Sequence, residues 1–113
     1  MARSKVVRTY SPTALDAIEL LGKEIAIARR NRKESAQTLA NRVGIARNTL
    51  SKIESGDPTC EIGLVFELAR VSGVSLFSSD PRLLASELNR ASTQLSLLPK
   101  SSFKPKMIVD DDF

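Results

Sequence analysis

The sequence predicts an all-α fold with five helices, and three observations lead to this prediction. Apolar residues recur at three- and four-residue steps along most of residues 11–92, which is the period of a helix with one buried face. Residues that cap helices stand at the ends of these segments, with Ser-Pro or Asp-Pro at two starts and Gly at two ends. A chain of 113 residues has room for one small domain with flanking tails.

The first predicted helix starts at Ser11-Pro12 and extends to about Arg30, because Ser caps a helix and Pro suits its first position. Residues 1–10 before it are predicted to form a flexible basic arm. The apolar positions of the helix follow its period: Leu15, Ile18, Leu21, Ile25 and Ala28.

Residues 35–54 predict two short helices around a turn at Gly44, the first capped by Ser35 and the second covering roughly 46–54. Six residues are spaced to pack the two helices together: Leu39, Ala40, Val43, Ile45, Leu50 and Ile53. The outward face of the second helix carries hydrogen-bonding side chains: Arg47, Asn48, Thr49, Ser51 and Lys52. This combination is typical of a helix-turn-helix, whose second helix enters the DNA major groove.

Side chains near the start of such a helix contact bases. Arg47 is the best candidate, because its guanidinium matches O6 and N7 of guanine, and Asn48 matches adenine in the same way. Thr49 and Ser51 reach phosphate or a thymine methyl group, and Lys52 is expected to contact phosphate. The alternative is that all five are ordinary exposed residues of a surface helix.

Three further residues are expected to attract phosphate. Gln37 and Thr38 lie near the start of the preceding helix, where free backbone N–H groups favour an anion. Arg29, in the last turn of the first helix, adds positive charge. The charge distribution agrees, since residues 1–52 have a net charge of +7 and residues 53–113 a net charge of −3. The alternative interpretation of this charge is a solvated helical surface.

A fourth helix is predicted over about 61–71, after the break at Gly56-Asp57-Pro58 and before Gly73. Its apolar stripe consists of Ile62, Val65, Phe66, Leu68 and Ala69. Residues 74–77 form either a short strand or an extended link, and a fifth helix is expected near 81–92. Several apolar residues here exceed what one small domain needs to bury and are predicted to form a dimer surface: Leu76, Phe77, Leu83, Leu84 and Leu88.

The predicted organisation is a basic arm over 1–10, a DNA-binding and dimerisation domain over 11–92, and a flexible tail over 93–113. The tail is rich in Ser and is interrupted by Pro, which predicts disorder in the free protein. Its end combines apolar and acidic residues and is predicted to bind a partner: Met107, Ile108, Val109, Asp110, Asp111, Asp112 and Phe113. A purely solubilising tail is the alternative.

Composition argues against an enzyme. The chain has no histidine and a single cysteine, Cys60, and it shows neither a metal-ligand cluster nor a phosphate-binding glycine loop. We therefore expect no cofactor and no metal, and Cys60 is expected to be a small buried residue. No apolar run approaches the ~20 residues of a membrane span, and residues 1–10 do not form a signal peptide. A cytoplasmic protein is expected.

The motifs resemble the lambda-repressor/Xre helix-turn-helix family over roughly residues 20–77. The similar segments are Leu21-Gly22 with Ile25 and Arg29, Leu39-Ala40 with Val43-Gly44-Ile45, Thr49 to Glu54 with Gly56, and Leu68-Ala69 with Gly73-Val74. The resemblance implies a five-helix DNA-binding domain, usually a homodimer on a palindromic operator.

Four positions depart from the family pattern. Lys33 and Glu34 stand where Gly and then an apolar residue are usual, so we expect a left-handed backbone at Lys33, at a cost of roughly 1–2 kcal/mol. The Gln that usually follows the cap of the second helix is replaced by Ala36. Ala46 replaces the usual Ser at the start of the recognition helix, which removes a cap worth about 1 kcal/mol.

A narrower resemblance concerns HipB-type antitoxins, which are encoded beside HipA-type serine/threonine kinase toxins. It involves Tyr10-Ser11-Pro12-Thr13 with Leu15, Gly56-Asp57-Pro58 with Gly63, and the acidic end of the tail. The resemblance implies an autorepressor that also binds and neutralises a HipA-like kinase. A stand-alone Xre repressor without a toxin partner is the main alternative, and an adaptor that has lost DNA reading is another.

Overall fold

The computed structural model describes residues 8–77 and 80–100, which contain five α-helices and no strand. The helices are α1 (Pro12–Asn31), α2 (Ala36–Val43), α3 (Arg47–Glu54), α4 (Ile62–Ser72) and α5 (Pro81–Leu97). The predicted all-α class is confirmed, and the first four helices start and end within about a residue of their predicted bounds. None of the described helices is long and apolar enough to cross a membrane.

The predicted caps are confirmed at the starts of three helices. The Ser11 hydroxyl accepts a hydrogen bond from the amide of Ala14, and the Ser35 hydroxyl accepts one from Thr38, at 3.1 Å in both cases. The Asp80 carboxylate accepts from the amide of Arg82 at 2.9 Å. These side chains satisfy backbone donors that have no partner within the helix.

The chain divides into two compact units, Met1–Leu76 and Phe77–Phe113. The division does not follow the predicted boundary at residue 92, because α5 belongs to the second unit. In the first unit, α1 and α2 each pack against α3 and α4. Its core consists of seven buried apolar residues: Ile25, Leu39, Ala40, Leu50, Ile53, Leu68 and Ala69.

The close approach of α1 to α3 depends on Gly22, which is buried. A Cβ atom at this position would collide with the main-chain carbonyl oxygens of Ile53 and Glu54, and it would stand 2.7 Å from that of Glu54. Only glycine therefore allows α1 to support the end of α3 at this distance.

The predicted stripe of α4 is correct in part. Leu68 and Ala69 are buried and Val65 packs against the core, but Ile62 is 71% exposed and Phe66 is 39% exposed. The predicted stripe is wider than the face that packs on the core, because Ile62 and Phe66, four residues apart, lie on the side of α4 away from Leu64 and Leu68. Residues 74–77 form an irregular link and not a strand.

The prediction of a flexible tail from residue 93 is wrong for residues 93–97, because α5 continues to Leu97. Arg90 donates to Gln94 at 3.1 Å, and the Ser96 hydroxyl donates to the carbonyl of Thr93 at 2.7 Å. The helix ends where Pro99 restricts the preceding residue, Leu98, to an extended backbone with φ −93° and ψ 154°. Residues 101–113 lie outside the described residues.

Candidate nucleic-acid interface

Helices α2 and α3 form a helix-turn-helix around Gly44, which has the left-handed backbone that ends α2 (φ 84°). The amides of Gly44 and Ile45 both donate to the carbonyl of Ala40, at 2.8 and 3.0 Å. Leu39 and Ala40 of α2 and Leu50 of α3 are buried between the helices. The turn and this packing set the angle between α2 and α3.

The outward face of α3 is exposed as predicted. Arg47, Asn48, Ser51 and Lys52 are exposed, and Thr49 is half-buried. Among the residues that the structure describes, the side chains of Arg47 and Asn48 have no hydrogen-bond or ion-pair partner. Their hydrogen-bonding groups are therefore available to a base edge, which is the property that a recognition helix needs.

The start of α3 lacks a side-chain cap. Ala46 occupies the cap position with an extended backbone (φ −70°, ψ 147°), and its side chain accepts no hydrogen bond. The amides of the first turn therefore keep unsatisfied donors, which face solvent or a ligand. The predicted loss of a cap at Ala46 is confirmed.

The turn between α1 and α2 shows the predicted departure at Lys33. Its φ of 56° makes it the one residue other than glycine with a positive φ in the described parts of the chain. The expected strain is thus present in the structure, next to the helix that carries Gln37 and Thr38.

Gln37 and Thr38 are exposed on the first turn of α2, close to its cap. The Gln37 amide donates to Asn41 at 2.9 Å, and the Thr38 hydroxyl accepts from the Ser35 hydroxyl at 2.9 Å. These hydrogen bonds hold both side chains along α2. The structure places the two residues where they were predicted, and their contact with phosphate stays a prediction.

Arg29 does not belong to this surface. Its side chain is 11% exposed and its guanidinium donates to both carboxylate oxygens of Glu54, at 2.8 and 3.0 Å, and to the carbonyl of Glu34, at 3.1 Å. The hydrogen bonds to Glu54 raise the pKa of Arg29 above its usual value. This arrangement argues against Arg29 as a phosphate contact, because three of its five N–H donors bind partners inside the domain.

Sequence reasoning gave no role to Glu54, the last residue of α3. Its side chain is 13% exposed and its carboxylate joins the end of α3 to the end of α1 through Arg29. One signal in the sequence could have indicated this contact: Arg29 and Glu54 carry opposite charges and both belong to the family motif. The contact fixes the end of α3 against the end of α1.

The loop after α3 is closed by a local hydrogen-bond network. The Asp57 carboxylate accepts from the hydroxyl of Thr59 at 2.6 Å and from its amide at 2.8 Å. These hydrogen bonds lower the pKa of Asp57. Cys60 follows, half-buried against the core as a free thiol, and burial raises the pKa of this thiol.

The residues of the predicted dimer surface are all exposed in the single chain. Leu76 belongs to the first unit and the other four residues to the second: Phe77, Leu83, Leu84 and Leu88. The predicted partner-binding residues 107–113 lie outside the described residues. Both assignments stay predictions.

Comparison with known proteins agrees with this geometry. Residues 25–77 match a family model described as Helix-turn-helix, and this match covers slightly less than half of the chain. The chain contains a helix-turn-helix domain. The match supports a role in DNA binding and transcription regulation. Comparison with curated proteins and with solved structures gave no match.

Proposed function

We propose that this helix-turn-helix protein is a homodimeric transcriptional repressor that reads a palindromic operator with α3. The observation that carries the proposal is the exposed face of α3, where Arg47 and Asn48 have unpaired hydrogen-bonding groups. Two such helices, one from each copy, enter successive major grooves about 34–36 Å apart. Lys52, together with Gln37 and Thr38, contacts the phosphates that flank the bases.

Substitution of Arg47 tests the role of α3. Arg47→Ala removes a bidentate contact to guanine and is expected to weaken specific binding by about 1–3 kcal/mol, with a thermal stability changed by less than about 0.5 kcal/mol. The assay is a gel-shift titration on the operator found by footprinting the DNA upstream of the gene.

The matched control is Arg70→Ala, which removes the same charge from the exposed surface of α4, where Arg70 pairs with Glu67 at 3.7 Å. It should weaken binding less than Arg47→Ala does. Equal affinities of the Arg47→Ala variant and the unchanged protein would refute the assignment. Lys52→Ala, by contrast, is expected to reduce the slope of log affinity against log salt by about 1 on every sequence.

Within this function we propose that the protein is the antitoxin of a HipA-like serine/threonine kinase. The motifs that resemble HipB-type antitoxins support the proposal, and so does the residue pattern of 107–113, in which apolar anchors stand next to three aspartates. The tail then binds the kinase while α3 represses the operon. A stand-alone repressor with no toxin is the competing proposal.

The kinase proposal is tested by recovering tagged protein from its host and identifying bound proteins by mass spectrometry. The full chain is compared with a chain that ends at Lys100, because α5 continues to Leu97 and an earlier end would cut the helix. A HipA-like kinase recovered only with the full chain supports binding by the tail. Recovery with both chains supports the antitoxin but not the tail. No kinase with either chain favours the stand-alone repressor.

A further inference from the structure

The turn between α1 and α2 places a lysine where the backbone favours glycine. Lys33 is the first residue beyond the cap of α1, and its φ of 56° lies in the left-handed region, which a residue with a Cβ atom rarely adopts. The amide of Lys33 donates to the carbonyl of Arg30 at 2.9 Å. The amide of Glu34 donates to the carbonyl of Arg29 at 3.1 Å, so both neighbours hold this conformation. Strained positions that a structure holds in this way cluster at binding sites.

The charged side chains on either side of Lys33 already have partners. The Glu34 side chain is 11% exposed, and its carboxylate accepts hydrogen bonds from the Arg42 guanidinium of α2 at 2.9 and 3.0 Å. The Arg32 guanidinium donates to two carbonyls in the last turn of α4, at 3.0 and 3.1 Å. The charge of Glu34 is therefore neutralised by Arg42, and it does not offset the charge of Lys33.

The side chain of Lys33 is exposed, and among the residues that the structure describes it has no hydrogen-bond or ion-pair partner. Arg29, one helical turn earlier, was expected to attract phosphate but is bound to Glu54. The ammonium group of Lys33 therefore supplies, at the end of α1, the available positive charge that Arg29 does not.

Lys33 lies beside the surface that the proposed function turns toward DNA. It precedes Ser35, the cap of α2, by two residues, and two extended residues span at most about 7 Å. The turn that follows the cap carries Gln37 and Thr38, whose side chains are both exposed. One strand of B-DNA carries a negative charge about every 3.4 Å along the helix axis. A cation this close to Gln37 and Thr38 thus has a neighbouring phosphate of the same strand within reach.

We infer that Lys33 binds a phosphate of the operator backbone, next to the phosphates assigned to Gln37 and Thr38. The inference rests on the proposed function and adds a residue to its DNA surface. A lysine that neutralises one phosphate releases a counterion, which strengthens binding to every duplex and makes the affinity depend more steeply on salt. The contact gives a physical reason for a lysine at a backbone position that glycine would occupy with less strain.

Lys33→Gly tests the contact, because it removes the charge and the backbone strain together. At 0.1 M salt the DNA affinity of the full chain is expected to fall about five- to tenfold, for the operator and for an unrelated duplex of equal length alike. The slope of log affinity against log salt is expected to fall by about 0.9. The Tm, measured by circular dichroism, is expected to be at or above that of the unchanged protein, because glycine adopts the left-handed backbone freely. A residue that acts only through the fold would lose affinity and Tm together.

Two further variants separate the charge from the backbone conformation. Lys33→Arg keeps both the charge and the Cβ atom, and it is expected to bind within about twofold of the unchanged protein, since either cation neutralises a phosphate. Lys33→Asn removes the charge but tolerates the left-handed region, and it is expected to bind as weakly as Lys33→Gly.

The matched control is Lys23→Gln, which removes the charge of an exposed lysine from the middle of α1. Lys23 precedes Asn31, the last residue of α1, by eight residues, which places it about 12 Å from the end of the helix. This separation exceeds the Debye length of about 10 Å at 0.1 M salt, so the affinity is expected to change by less than about twofold.

The proposed function and the Lys33 contact fail in different ways. An unchanged protein that binds neither duplex, even at about 0.05 M salt, overturns both. Operator binding that Lys33→Gly leaves unchanged in affinity and salt slope overturns the contact alone. The contact is also overturned if Lys33→Gly loses affinity together with a lower Tm, if Lys33→Arg binds as weakly as Lys33→Gly, or if Lys23→Gln weakens binding as much.

Discussion

The pairing of Arg29 with Glu54 makes a quantitative prediction about the stability of the DNA-binding unit. Arg29→Met keeps an apolar side chain of similar length but leaves the Glu54 carboxylate without its partner. Both side chains are at most 13% exposed, and the pair is joined by hydrogen bonds of 2.8 and 3.0 Å. Breaking a buried pair costs about 3–5 kcal/mol, and the remaining exposure places this one near the lower limit, at about 3 kcal/mol.

The assay is thermal and urea unfolding of the full chain, observed by circular dichroism. A loss of about 3 kcal/mol corresponds to a Tm lower by roughly 12–24 °C for a domain of this size. The control is Lys23→Met, which breaks an exposed pair with Glu19 on α1, where the two side chains are 62% and 54% exposed. Such pairs contribute less than about 1 kcal/mol.

A double-mutant cycle then separates the pair from other effects of the substitution. Arg29→Met combined with Glu54→Leu removes both charges, and we expect a coupling free energy of about 2 kcal/mol between the two positions. The reasoning is refuted if Arg29→Met costs no more than Lys23→Met. It is also refuted if the effects of the two substitutions simply add.

Two further predictions concern glycine and capping positions. Gly22→Ala is expected to destabilise the unit by at least about 2 kcal/mol, because the new Cβ meets the backbone of α3, whereas Gly63→Ala, with nothing within 4 Å, is expected to be neutral or to stabilise by up to about 1 kcal/mol. Equal effects of these two substitutions in urea unfolding would contradict the packing argument. Ala46→Ser supplies the missing cap of α3 and is expected to stabilise the unit by about 1 kcal/mol, and an unchanged Tm would show that solvent already satisfies those amides.

The sequence by itself determined the local structure of this protein. The caps at Ser11, Ser35 and Asp80 and the ends at Gly44 and Gly73 were predictable because each depends on residues within four positions of the helix end. The helix-turn-helix was predictable for the same reason, since its packing residues lie close together in the chain. The outward face of α3 followed directly from the helical period.

Only the tertiary structure decided how the charged and apolar surfaces are used. Arg29 is a basic residue near a predicted DNA surface, and nothing local distinguishes it from an exposed cation. It pairs with Glu54, 25 residues away, only because α1 crosses α3 at Gly22. In the same way, the apolar stripe of α4 did not reveal that one side of it, with Leu68 and Ala69, is buried, whereas the other side, with Ile62, is exposed. Local pattern defines which residues share a face, whereas the packing of distant segments defines which faces are covered.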